Sequence, residues 1–205
     1  MAYSFFRDAE EHLMWHEDLM NVIVCDMQVR DGCLADMSQM SEAKRRQYIR
    51  SEIRKMYFNK GERLFRFTYW MRIRDYYPAK SPMWFLAKVM YKLNIRKTHI
   101  QVNCVPGRGF HVVHDSYSYL NAAEIGEYFT AYQGVTLGVD GKGGKPVIGN
   151  HVTVYTNAVV CGDIHVGDHC VIGANAFVNK DLPDHTTVIA QSQLRYHENT
   201  KAENK

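Results

Sequence analysis

The sequence predicts a mainly β protein, a parallel β-helix preceded by an α-helical region. Three observations carry the prediction. From Ile125 to Pro183 apolar residues recur every six positions, glycine follows many of them, and residues 1–98 read instead as helices. The expected organisation is a helical region over 1–98, a β-helix domain over 99–190 and a polar tail over 191–205.

The repeat runs through Ile125, Ala131 and Leu137 and resumes at Ile148, Val154, Val160, Val166, Ile172 and Val178. Four places later stands a second apolar set: Phe129, Val135, Val152, Ala158, Ile164, Cys170, Ala176 and Leu182. In a chain that is 46% apolar, unbroken agreement in one fixed frame is roughly a one-in-a-million run. Helical stripes recur at three and four, so a six-residue unit reads as a short strand and a corner, three units to a coil. Coils stacked about 4.8 Å apart bury the repeated positions along the axis. Gly126, Gly138, Gly149, Gly167 and Gly173 are expected to supply tight turns at positive φ. From Leu137 to Ile148 the spacing lengthens, so the glycine-rich Val139–Lys145 stretch must leave the coil as a loop, where ligand contacts are expected.

Composition bounds the function. With 25 basic and 22 acidic residues the charge is too balanced to require nucleic acid. The 5 cysteines form no C-x-x-C pair, which favours reduced thiols and a cytoplasmic protein. The opening residues lack a signal-peptide pattern, and no apolar run is long enough to span a bilayer.

Within residues 1–58 helices are expected over Ala9–Met20 and Ser41–Tyr57, with a turn at Val29–Gly32. Residues 60–97 are basic and aromatic, and Pro78 and Pro82 divide them into two helices. Two uses are open to this segment: capping the solenoid with its basic ends in water, or peripheral contact with an anionic membrane. Aromatic and basic interleaving also suits single-stranded nucleic acid, but no RNA-binding motif accompanies it.

Gly107-Arg108-Gly109, His114, Gln133–Gly138, Pro146–Asn150, Ile172–Ala176 and Lys180–Pro183 together resemble the hexapeptide-repeat acetyltransferases, in their serine acetyltransferase-like branch. The resemblance covers about residues 100 to 190. It implies a left-handed parallel β-helix, a homotrimer, and acetyl-CoA held in a groove between subunits. It places the catalytic histidine at His114, a residue type whose pKa suits a general base. Asp115 or Glu124 would orient it, Asp115 being the nearer in sequence. For acetyl-CoA it points to Gly138, Thr156, Ala174 and Lys180, although Thr156 stands where alanine is usual and Ala190–Gln193 replaces a Gly-x-Pro-Ala segment; Lys145 and Lys142 of the extruded loop are expected either to help with the cofactor phosphates or to face solvent.

Where the serine enzymes orient the base with an aspartate this chain has His99; Val113 replaces a second aspartate and Lys145 a second histidine. Tyr117 and Tyr119, beside His114, offer flat apolar faces with hydroxyl handles, either as interior fillers or as a platform for a sugar ring. The expectation is therefore an acetyl-CoA-dependent O-acetyltransferase acting on a sugar hydroxyl in surface polysaccharide synthesis. Serine O-acetylation is the alternative within the family, and a non-catalytic trimeric scaffold the alternative of another class. His111 and His114 form H-x-x-H, but residues three apart on a strand face opposite ways, so no metal site is expected. His151, His165 and His169 are expected to be solvated.

Overall fold

The computed structural model describes residues 16–31, 34–59, 62–114 and 117–191, with Asp31 and Lys97 in backbone only. The expected helix start at Ala9, Gly32 of the expected turn, Asp115 and the tail beyond Gln191 lie outside the described residues.

Four described helices precede the β-helix: α1 (Glu17–Asp31), α2 (Glu42–Phe58), α3 (Arg63–Tyr76) and α4 (Pro82–Thr98). Helix α1 continues through the expected Val29 turn. Ser41 is the N-cap of α2, and Ser81 Oγ accepts the Trp84 N–H at the start of α4, with Pro82 where its missing N–H costs nothing. His99, in the left-handed region, closes α4.

Helix α3 is the centre of the helical region. Phe65, Phe67, Tyr69 and Trp70 are fully buried, and the Trp70 indole N–H donates to the Tyr57 hydroxyl at 2.9 Å. Its basic residues do not all reach water, because Arg72 is only 5% exposed. Arg72 pairs with Asp26 of α1 through two hydrogen bonds at 2.8 and 3.0 Å and also donates to the carbonyls of Pro106 and Gly107. The Asp26 carboxylate in turn accepts the Phe110 N–H at 2.9 Å. One buried pair thus ties two helices to the Gly107-Arg108-Gly109 turn. By contrast, α4 leaves Phe85, Val89 and Leu93 exposed beside Lys88 and Lys92.

The remainder is a triangular prism with three parallel faces. Face A stacks β1 (Gln101–Val102), β3 (Tyr119–Leu120), β6 (Thr136–Gly138), β9 (Val159–Cys161) and β12 (Phe177–Val178). Face B stacks β2 (His111–Val112), β5 (Thr130–Ala131), β8 (Thr153–Val154), β11 (Val171–Ile172) and β13 (Thr187–Val188). Face C stacks β4 (Glu124–Ile125), β7 (Val147–Ile148) and β10 (His165–Val166). The chain visits A, C and B in turn, and every repeated apolar position from Ile125 to Leu182 is buried.

The coil begins earlier than the six-residue frame does: Ile100, Val102, Val112 and Leu120 are also buried in it. The frame fails there because the first corners are irregular. His111 and Tyr119 pair with Thr130 and Thr136, so the path from β2 to β3 is two residues longer than the path from β5 to β6 above it.

The role expected for the repeat glycines needs correction. Gly126, Gly138, Gly149, Gly167 and Gly173 do not have positive φ; the left-handed corners carry Tyr128, His151, Asn157, His169, Asn175 and His185. Gly126, Gly149 and Gly167 are needed for close approach instead. A Cβ on them would lie 2.6 Å from Gly149 O, 2.5 Å from Asp168 Oδ1 and 2.3 Å from Asp184 Oδ1 respectively. Those carboxylates belong to a ladder in which Asn150 N–H donates to Asp168 (2.6 Å) and Asp168 N–H to Asp184 (2.8 Å).

Candidate active site

His114 sits on the edge where face B turns into face A, on the enlarged first corner. It is exposed, and its ring meets Tyr132 edge-on at 6.3 Å. Tyr132 stacks on Tyr155 of the next coil at 4.7 Å, so an aromatic column rises from His114 along this edge. The sequence reading missed Tyr132 and Tyr155. Their signal was present: once the extruded loop is removed, they occupy the same place in successive coils.

Thr156 and Ala174 lie on the B/A edge above His114. Gly138, Lys145 and Lys180 lie on the other edge of face A, where A turns into C. These five residues therefore flank one face and are not gathered in one cleft of a protomer. Face A between them is largely apolar and partly open, with Tyr119, Thr136, Val159 and Phe177 in register, Phe177 being 63% exposed.

Gly138 differs from the other repeat glycines. A Cβ there would meet Thr136 at 3.6 Å and Cys161 at 4.0 Å, ordinary contact distances, so packing within the chain does not require glycine. In the loop that follows, the Asp140 carboxylate accepts the N–H groups of Lys142 and Gly144, each at 2.9 Å, and these hold it below the usual carboxylate range.

Tyr117 and Tyr119 do not fill the interior. Tyr117 is 74% exposed and stacks on His99 at 5.0 Å, while Tyr119 faces outward from face A and its hydroxyl accepts from the Asn103 side chain at 3.3 Å. Asp115 lies outside the described residues, and Glu124 stands on face C, opposite the B/A edge, where it cannot reach His114 within the chain.

His111 also parts company with His114. It is half-buried against the Arg30–Glu62 ion pair, and burial, reinforced by Arg30, pushes its pKa down to about 4. No group of three or more His, Cys, Asp or Glu among the described residues is arranged to hold a metal. His151 and His169 are on the surface as expected, but they stack with Tyr128 and His185 in one column along the C/B edge.

A stacked prism with a histidine on one edge and glycine-lined positions on the next defines the class: a left-handed parallel β-helix built of hexapeptide repeats. The family described as bacterial transferase hexapeptide (six repeats) matches residues 145–180. The chain is 40% identical over 116 residues to a serine acetyltransferase of Helicobacter pylori, covering 54% of this chain and 68% of that protein. It is 37% identical over 116 residues to the Bacillus pumilus serine acetyltransferase, covering 54% of each. A solved serine acetyltransferase in complex with CoA superposes with a TM-score of 0.57 at 17% identity over 90% of this chain and 70% of that one, which shows the common fold. The chain belongs to the hexapeptide-repeat transferases, in the serine acetyltransferase-like branch. It spans about half the length of the Bacillus relative.

Proposed function

We propose that the protein is an acetyl-CoA-dependent O-acetyltransferase with His114 as general base and a small hydroxyl compound as acceptor. The observation that carries this reading is the placement of His114 on an open edge that continues into Thr156 and Ala174, one face away from Gly138 and Lys180. Gly138 has no need of its small size inside the chain, so room for a ligand there explains it. The split of these residues over two edges suits a groove between copies, one copy's B/A edge facing another's A/C edge. The likeness to an acetyltransferase solved with CoA supports the same cofactor. Exposed Lys180 and Lys145 would meet its phosphates as point charges, with CoA serving as the acyl carrier.

In this reading His114 removes the acceptor hydroxyl proton as the oxygen forms its bond to the thioester carbonyl carbon. The carbon–sulfur bond then breaks, and His114 returns the proton to the departing thiolate, leaving an ester and a free thiol. A base so placed contributes about 10² to 10⁴ in rate.

L-serine leads as acceptor, because the relatives are serine acetyltransferases. This reverses the order expected from sequence, where the loss of polar residues at His99, Val113 and Lys145 favoured a sugar; the relatives named above support serine and lend no support to a polysaccharide role. Free thiol release with L-serine and with N-acetylglucosamine in parallel tests the reading. We expect saturable turnover with L-serine, O-acetylserine by mass spectrometry, and a loss of at least about 100-fold in His114→Ala with acetyl-CoA affinity unchanged. Failure of acetyl-CoA to raise the melting temperature would favour the scaffold reading.

A further inference from the structure

Beside the His114 corner a second feature has no role in the acyl-transfer step. Ile95, Arg96, His99, Gln101 and Tyr117 line a cavity of about 380 Å³. We propose that this cavity receives an anionic group of the acceptor, a carboxylate or a phosphate. The inference rests on the acetyltransferase reading and names the chemistry of the acceptor within it.

Arg96 is the first argument. Among the described residues no carboxylate pairs with it, and none lines the cavity. The sequence of α4 contains no acidic residue at all. A guanidinium with five donors and no carboxylate partner among the described residues is suited to a planar or tetrahedral oxyanion. The cavity lies at the end of α4, where the helix dipole alone would oppose an anion. That opposition is weakened, because Asn94 O accepts from Thr98 Oγ1 at 3.2 Å and Ile95 O from the His99 N–H at 2.9 Å.

The aromatic wall is the second. His99 and Tyr117 stack within 10° of parallel, yet both hold left-handed backbone conformations, with φ of 53° and 50°. His99 takes this conformation because it closes α4, and Tyr117 shares it with the other corner residues of the coil. The two backbones together set a largely exposed tyrosine, 74% accessible, over an imidazole that can donate to an anion. Tyr117 is three residues from His114, at most about 11 Å along the chain. An acceptor anchored in the cavity would present its hydroxyl toward that histidine.

Two acceptor types share this chemistry, an amino or hydroxy acid with its carboxylate and a sugar phosphate. L-serine, L-serinamide, glucose 6-phosphate and glucose separate them by pairing each anion with a neutral-headed counterpart. Binding is read by thermal shift in the presence of CoA, and turnover by thiol release with acetyl-CoA, for the full chain and for Arg96→Ala, an exposed position where folding should survive. We expect one anion of the two pairs to bind and to turn over at least about tenfold better than its counterpart. Arg96→Ala should raise its KM about 10- to 100-fold and leave the KM for acetyl-CoA unchanged, as for loss of a hydrogen bond to a charged group. Anion-dependent binding that needs Arg96, without turnover of any acceptor, would sink the enzymatic reading and leave the cavity assigned. Turnover indifferent to charge or to Arg96 would overturn the cavity and leave the enzyme. No Arg96-dependent binding of either anion also overturns the cavity.

Discussion

In the β-helix each coil repeats the contacts of the coil below it, with Val154 stacked over Ala131 and under Ile172. In the helical region one buried pair, Asp26 and Arg72, binds α1, α3 and the first coil together. The first arrangement is close to one-dimensional, so its stability is a sum over similar layers and a single loss is local. The second is a hub, and removal of one member strands the others.

The sharpest way to break this comparison is to remove half of the hub. Burial pushes the Asp26 carboxyl upward while Arg72 and the N–H groups of Phe110 and Gly109 oppose the shift, so the charge survives only in company. Asp26→Ala leaves a buried guanidinium uncompensated and should cost about 3–5 kcal/mol in denaturant unfolding. Replacing both partners by apolar residues, Asp26→Leu with Arg72→Met, should recover much of that loss. A single variant costing under about 1 kcal/mol would show that the pair is not a hub.

A middle-sized effect is expected at the seam, where a β-helix residue lives in surroundings made by the helices. His111 is held neutral, with its folded pKa near 4 against about 6.5 when unfolded. As pH falls through 6.5 the unfolded chain takes up this proton before the folded one does. Folding stability should therefore drop between about pH 6.5 and pH 4 and then level off, by about 2 kcal/mol once solvent screening of a half-buried site is allowed for. Urea unfolding across that range, compared with His111→Phe, isolates the contribution as the difference between the two curves. Parallel curves would mean that His111 titrates alike in both states.

The two regions also differed in how much the sequence disclosed. Local repetition made the β-helix readable down to individual core positions such as Phe129 and Leu182, because each apolar side chain answers to a fixed place in a six-residue unit. His114, Gly138 and Ala174 were singled out by the family resemblance, whereas their division over two edges of face A emerged only from the folded coil. The Asp26–Arg72 pair did not, since nothing in an aperiodic helix says which of several arginines points inward or which distant carboxylate will meet it. The cavity at Arg96 and His99 was hidden for a related reason: it joins the end of a helix to a corner of the coil, and its wall depends on left-handed φ values at His99 and Tyr117 that no local repeat marks.

The smallest effect should come from the C/B edge, where regularity is greatest. His169 stacks between His151 at 4.7 Å and His185 at 4.9 Å, close to the spacing that strand pairing imposes, so the rings follow the coil. If the coil sets the geometry, the backbone conformation at His169, with φ of 57°, matters more than the imidazole. His169→Asn keeps a residue that tolerates the left-handed region and removes the stacked ring; it should cost under about 1 kcal/mol, a fall of at most about 2–4 °C in Tm. His169→Val also removes the ring but places a β-branched side chain where it is strained, and should cost about 1–3 kcal/mol. Calorimetry on the two variants decides between them. Equal losses would mean that the ring column, and not the coil beneath it, holds this edge together.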